Sequence, residues 1–396
     1  MIADPKYLAP VARIAQRMDE IAPFHVVEIF NRVGELERAG HSVINLCIGE
    51  PDFPTPQPML DAAAKALQVG RFPYTASLGI PELREAIAQF YWARYQVKIP
   101  AQRIAVTAGA SAALLLTMGV LINPGDQVLL TDPGYPCNHP FIRLVGGKPL
   151  GVPVDSESGY QLNASLIEKH WTADTVAALV ASPANPTGTM IHADEMAELI
   201  GAVHRRGGRL IVDEIYLALS YGKQATTALS LSEDVFIINS FSKYFQMTGW
   251  RLGWIVAPSA YVKAIERLAQ NLFIANSAIA QQAALAGFEP GTLALLESRR
   301  KEFQTRRDFL IPALKELGFG IPVMPEGAFY IYADCSNFTD DSYRFAWDLL
   351  EKAQVAVTPG IDFGLHHAKR HVRFSYCASL QQLREAVARI KRYLNQ

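Results

Sequence analysis

A series of short apolar runs, each cut off by a loop of small, polar or proline residues, limits the fold of this chain more than any other feature. The runs are Arg103–Thr107, Gln127–Leu130, Thr175–Val180, Arg209–Asp213 and Val235–Asn239, and helical patterns such as Asp194–Arg206 lie between them. Nearly continuous apolar strands separated by helices predict an α/β fold with a doubly wound, mostly parallel sheet buried on both faces. In such a sheet ligands bind at the carboxyl ends of the strands. Each run leads there into an unusual loop: Ala108-Gly109-Ala110-Ser111, Asp132-Pro133-Gly134-Tyr135-Pro136, Ser182-Pro183-Ala184-Asn185-Pro186-Thr187-Gly188, Glu214-Ile215-Tyr216 and Ser240-Phe241-Ser242-Lys243. A site is expected where these loops meet.

At 396 residues the chain is long for a single core, so two lobes are expected. From about Gly318 the pattern becomes that of a smaller α+β lobe, with strands near 328–333, 355–358 and 372–375. The division expected is an N-terminal segment (1–45) packing with the small lobe, a large domain (46–288) and a small C-terminal domain (289–396). Val26, Val27, Ile29, Phe30, Val33 and Leu36 recur at helical spacing up to Ala39-Gly40, and Val43–Ile48 reads as a strand before the proline-dense loop Gly49–Pro56. A net charge of −1 without basic or acidic blocks argues against nucleic acid or a membrane surface as partner. No stretch is apolar enough for a membrane span. Asp4, Lys6, Arg13 and Arg17 precede any signal-like run, so a cytoplasmic location is expected. Cys47, Cys137, Cys335 and Cys377 form no C-x-x-C pair and are expected to be buried free thiols. His366, His367 and His371 lack an accompanying carboxylate motif, so no metal is expected.

The stretch Ser240–Trp254 names a chemistry. Lys243 is flanked by Phe241, Tyr244 and Phe245, and desolvation by such neighbours lowers a lysine pKa until the neutral amine can react. Ser240, Ser242 and Arg251 can together hold a phosphate. Taken alone, the stretch is equally an ordinary loop with a salt-bridged arginine. Asp213, at the end of a buried run, can pair with a protonated ring nitrogen; at about 4 Å and an effective dielectric near 20 such a pair is worth about 4 kcal/mol before desolvation. Tyr216 and Asn185 can donate to a ring oxygen, Tyr135 can stack on a ring face, and Gly109, Ala110 and Ser111 can place backbone N–H groups on an anion. These are the services that pyridoxal phosphate requires. No G-x-G-x-x-G or P-loop motif competes with that reading.

The motifs, in order, are Tyr74-Thr75…Gly79…Leu83-Arg84, Gly109-Ala110, Pro133-Gly134-Tyr135-Pro136, Asn185-Pro186-Thr187-Gly188, Asp213-Glu214-Ile215-Tyr216, Ser240-Phe241-Ser242-Lys243 and Gly249-Trp250-Arg251-Leu252-Gly253. Pro325-Glu326-Gly327-Ala328-Phe329-Tyr330, Pro359–Gly364 and Val372-Arg373-Phe374-Ser375 follow. Through nearly the whole chain this closely resembles the fold-type I, class I/II pyridoxal-phosphate aminotransferases. The resemblance implies that fold, Lys243 as the Schiff-base lysine, and Asp213 and Tyr216 as its catalytic partners. It implies Arg373 as the clamp on a substrate α-carboxylate, assisted by Asn185 and the backbone of Gly49. It also implies that Tyr74 reaches the phosphate of a neighbouring subunit, hence a homodimer with shared sites. Gln246 departs from the family, which usually carries a small residue there; it either crowds the loop or adds a contact.

The reaction implied is ping-pong transamination between a small α-amino acid and a 2-oxo acid. A carbon–sulfur β-lyase uses the same scaffold and lysine and is the alternative. A non-enzymatic ligand sensor would need a DNA-binding segment that the chain does not show. No second arginine for a dicarboxylate side chain stands out, and the donor stays open among aspartate, aromatic and other neutral amino acids.

Overall fold

The apolar runs become strands because helices cover them on both sides. The computed structural model describes residues 13–222 and 225–395; Asp4 and Lys6, used above to argue location, lie outside the described residues. A short strand β1 (Ile44–Asn45) precedes the main sheet. That sheet contains β2 (Ile104–Thr107), β3 (Gln127–Asp132), β4 (Lys148–Pro153), β5 (Thr175–Ala181), β6 (Arg209–Asp213), β7 (Val235–Ser240) and β8 (Gly253–Val256). Its order is β2-β8-β7-β6-β5-β3-β4. β3 to β7 pair in parallel, and β8 runs antiparallel to both β7 and β2.

Alternate residues of one strand enter two different cores. Val235 and Ile237 of β7 join the larger core, whereas Phe236 and Ile238 join the core on the opposite face. β4 was not read in the sequence, and its place explains why. Pro149, Gly151 and Pro153 are poor strand formers, tolerated here because β4 is an edge strand paired on one side only.

The helices that matter for the site are α1 (His25–Arg38), α2 (Gln57–Val69), α3 (Pro81–Tyr95) and α4 (Gly109–Leu121). α1 buries Ile29, Val33 and Leu36; Val27 and Phe30, which share the helical spacing, stay exposed. α2 was also unread: it follows the proline loop and stops at Gly70 in the left-handed conformation. Pro81 takes the first turn of α3 as expected. A helix over Pro290–Leu317 then leads to a three-stranded antiparallel sheet of β9 (Tyr330–Asp334), β11 (Thr358–Pro359) and β12 (His371–Ser375), with β12 central. The two-residue β10 (Val355–Ala356) pairs in parallel with β1, so the N-terminal strand is stitched beside this second sheet.

Cys47 and Cys335 are buried, but Cys137 and Cys377 are only partly so, because Cys137 lines a cavity. Among the described residues, no helix is long and apolar enough to cross a membrane and no group of three or more histidine, cysteine or acidic side chains is set to hold a metal. His371 stacks instead on the Tyr332 ring at 4.5 Å.

Candidate active site

A cavity of about 360 Å³ opens at the carboxyl ends of the parallel strands. Ala181 at the end of β5, Asp213 at the end of β6 and Ser240 at the end of β7 form its floor, with Tyr135 from the loop after β3 and Ala110 and Ser111 from the start of α4. Tyr216, Ser242, Lys243, Asn185, Gly49, Arg251 and Arg373 complete the set. Gly109 does not line the cavity itself, but a Cβ there would sit 2.8 Å from the Arg251 guanidinium. Glycine is what allows the arginine to lie against the helix start. Tyr74 is elsewhere and 83% exposed.

The Lys243 amine donates to the Gly49 carbonyl at 2.7 Å. The side chain is half-buried, since the amine faces the cavity, but protein surrounds it closely. That burial lowers its pKa to about 8; Arg373 and Arg251 push the same way, against Cys377 and Glu50. Asp213 is 7% exposed, and burial raises its pKa to about 6, opposed by the Ile215 N–H and by Lys243. Among the described residues its carboxylate accepts one hydrogen bond, from Ile215 N at 3.0 Å. The Tyr216 phenol is pushed well above its ordinary value by burial and by Tyr330, whose hydroxyl lies 2.8 Å away.

Ser240 Oγ sits 3.0 Å from Ser242 Oγ, and Arg251 donates to the Thr248 carbonyl at 3.0 Å. The start of α4 has no side-chain cap on its first N–H groups. Uncapped amides, two hydroxyls and a guanidinium around one end of the cavity make an anion cradle. At the other end Arg373 donates to Asn185 Oδ1 at 2.8 Å, to the Cys47 carbonyl at 2.6 Å and to Thr358 Oγ1 at 3.2 Å. Its guanidinium lies between the Tyr330 and Phe363 rings, 4.3 and 4.7 Å from their centroids, and its Nε is buried without a partner. The run after β1 thus offers carbonyls to both cations, Cys47 to Arg373 and Gly49 to Lys243.

Tyr330 was missed as a site residue although it ends the recognised run Pro325–Tyr330, and the structure brings it against Gly49. A Cβ on Gly49 would lie 1.8 Å from the Tyr330 hydroxyl, so that glycine marks a close approach. Phe24, Val26, Val27, Ile48 and Thr358 also line the cavity and carry no site motif, whereas Asp362 and Phe363, which line it too, stand inside the recognised run Pro359–Gly364 without having been singled out. Gln246 resolves as an added contact: it is buried, holds φ +57° and accepts from Arg299.

An amine with a lowered pKa, a buried carboxylate with an open side, an anion cradle and a buried arginine facing the cavity fit a pyridoxal-phosphate enzyme. The uncapped α4 amides beside Arg251 suit its phosphate, and Asp213 suits its ring nitrogen. The chain belongs to the aminotransferase class I and II family, whose model matches residues 41–390, and it is an aminotransferase dependent on pyridoxal 5'-phosphate. It is 34% identical over 384 residues to valine–pyruvate aminotransferase of Mycobacterium tuberculosis, covering 96% of this chain and 98% of that protein. It is 37% identical to (5-formylfuran-3-yl)methyl phosphate transaminase of Methanocaldococcus jannaschii, covering 96% and 100%. Among solved structures it is similar to aspartate aminotransferase of Thermus thermophilus with maleate, at TM-score 0.90 and 33% identity over 97% of this chain and 100% of that one.

Proposed function

We propose that this aminotransferase takes a neutral α-amino acid with an apolar side chain as donor and works as a cytoplasmic homodimer. The observation that carries the donor class is the outer wall of the cavity. Phe24, Val26, Val27, Ile48 and Phe363 form it, and among the described residues the cations lining the cavity are Lys243, Arg251 and Arg373. With Arg251 in the cradle and Arg373 on the α-carboxylate, none of these is left for a side-chain carboxylate. The valine–pyruvate relative supports the same class. Exposed Leu67, Val69, Phe72 and Tyr74 favour a second copy packed on that edge, with Tyr74 reaching its phosphate site. The working bodies in this reading are residues 46–288 and 289–396, with α1 and β1 carried by the smaller.

In this reading Ser240, Ser242, Arg251 and the amides of Gly109, Ala110 and Ser111 hold the coenzyme phosphate. Asp213 faces the ring nitrogen and Tyr135 the ring face. Asn185 has its carbonyl oxygen committed to Arg373, so its amide group is free to donate to the ring oxygen, as is Tyr216 when Tyr330 donates to it. When bound, the coenzyme supplies an electron-withdrawing ring that makes the substrate α-proton acidic. Lys243 Nζ, its pKa lowered by burial to about 8 so that a fraction of the amine is neutral at physiological pH, takes and redelivers that proton. Arg373 fixes the carboxylate so that the α-carbon lies toward Lys243.

Steady-state kcat/KM for a panel of donors, each with 2-oxoglutarate and with pyruvate, tests the proposal. Branched or aromatic neutral donors should exceed aspartate by about tenfold or more. A preference for aspartate overturns the donor class, and product formation that ignores the oxo acid would mark a lyase.

A further inference from the structure

The N-terminal helix supplies part of the substrate wall, yet its first turn is held differently from its body. Ile29, Val33 and Leu36 bury the body, and Arg32 ties it to Glu351 at 2.7 Å. The first turn has no capping side chain of its own, since the residue before it is Phe24. A distant carboxylate takes that place. Asp362 Oδ1 accepts from His25 N at 2.9 Å and its Oδ2 from Val26 N at 2.7 Å. His25 also meets Tyr343 edge-on at 4.9 Å and Glu28 at 3.4 Å, contacts that fix the ring and not the backbone.

Asp362 begins a short strap that is fastened at its other end as well. Phe363, the next residue, packs on the Arg373 guanidinium, and its carbonyl accepts from Gly134 N at 2.8 Å. Leu365 N and His366 N donate to the Asp132 carboxylate at 2.9 and 3.2 Å. The strap therefore spans the cavity rim from the Tyr135 loop to α1. Phe24, Val26 and Val27 reach the cavity from the turn that Asp362 pins.

We propose that Asp362 is a positioning residue for donor selectivity: by capping α1 it sets where Phe24, Val26 and Val27 stand against the donor side chain. Each of its oxygens accepts from a backbone N–H of α1, so its hold on Phe24, Val26 and Val27 runs through α1, although the side chain also lines the cavity. The inference rests on the reading of that wall as the side-chain pocket, and the test does not depend on which donors prove best.

The experiment uses the holoenzyme of the unaltered protein, Asp362→Ala and Asp362→Asn. It takes two donors that the unaltered enzyme accepts and that differ in side-chain size. In Asp362→Ala the ratio of their kcat/KM values should change by about fivefold or more, chiefly through KM, with the absorbance of the lysine-linked coenzyme retained. Asp362→Asn keeps one acceptor oxygen and should fall between. Amide hydrogen exchange over residues 24–30 should speed up in Asp362→Ala while that over 31–38 stays slow. An unchanged ratio, or an equal loss for both donors, overturns the proposal. If Asp362→Ala does not fold or load, Asp362→Asn decides alone: a shifted ratio supports the role and an unshifted one overturns it. A donor panel that fails in the unaltered enzyme would sink the apolar-donor reading and leave this ratio test standing.

Discussion

The floor and the outer wall of the cavity are built by different means. The floor comes from adjoining strands of one sheet, and every residue of β7 is buried. Asp213, Ser240 and Lys243 are held by that two-sided packing, which resists displacement. The wall is assembled from both ends of the chain, with Phe24, Val26 and Val27 from one end and Tyr330, Asp362 and Phe363 from the other. Hydrogen bonds across long sequence separations hold it, as between Asp362 and α1. On the roles proposed, the chemistry sits on a frame that many apolar contacts determine, and selectivity on a rim that a few polar pins determine. Changes to the floor should strike kcat and the coenzyme; changes to the wall should strike KM and donor choice.

The largest break of the floor is Lys243→Ala. It removes the proton-transfer group, so turnover should fall by about four orders of magnitude or more, and the visible absorbance of lysine-linked coenzyme should vanish with it. An active variant would sink the assignment. Asp213→Asn comes next. It takes away an anion worth about 4 kcal/mol to a facing cation, so turnover should drop about a thousandfold.

The same substitution carries a pH signature in coenzyme-free protein. The folded pKa of Asp213 is about 6 against an ordinary 3.8, so between these values the folded state holds a proton that the unfolded state lacks. The unaltered protein should therefore lose stability relative to Asp213→Asn as pH rises from about 4 to 6, by about 3 kcal/mol. Denaturant unfolding of both proteins at pH 4 and pH 7 measures this. An equal difference at both pH values would show that the carboxylate is not strained by burial.

Arg373→Lys crosses to the wall side. A lysine cannot reproduce contacts to Asn185, Cys47 and Thr358 together with the ring stack. KM for amino and oxo acids should rise about ten- to a hundredfold, while the coenzyme spectrum stays as it was. A changed spectrum with an unchanged KM would place Arg373 on the floor instead.

The same contrast governs how much was legible beforehand. Floor residues follow buried runs, and such runs announce strands, so Asp213, Lys243 and the cradle around Gly109 could be placed at strand ends from local pattern, while their roles came from the ordered set of motifs. Wall residues are harder to place: Phe24, Val26 and Val27 lie in no site motif, and Tyr330, Asp362 and Phe363 lie in recognised motifs whose contacts are with residues far away in sequence. Asp362 and His25 are 337 residues apart, and nothing near Phe24 or Val27 marks a pocket. β4 stayed unread because an edge strand tolerates the prolines and glycine that argue against a strand. Tyr330 stood inside a recognised motif, but its contact with Tyr216 comes from tertiary packing.

The smallest effect expected is at Gln246, where the lysine loop meets the proline loop. Arg299 donates to its side chain and to the Pro54 carbonyl, the latter at 2.7 Å, and Thr55 Oγ1 donates to the Gln246 carbonyl at 2.8 Å. Two terms oppose each other there: a side-chain contact that helps, and a φ of +57° that disfavours any residue with a Cβ. Gln246→Ala loses the contact and keeps the backbone cost, so stability should fall by about 1 kcal/mol. Gln246→Gly loses the same contact but relieves the backbone, which returns about 1 kcal/mol; it should lie close to the unaltered protein. Denaturant midpoints of the three proteins separate the two terms, and neither variant should alter kcat by more than about threefold, since the Lys243 amine is held by Gly49 and not by Gln246. If alanine and glycine destabilise equally, the left-handed backbone carries no cost and the side chain alone ties the two loops.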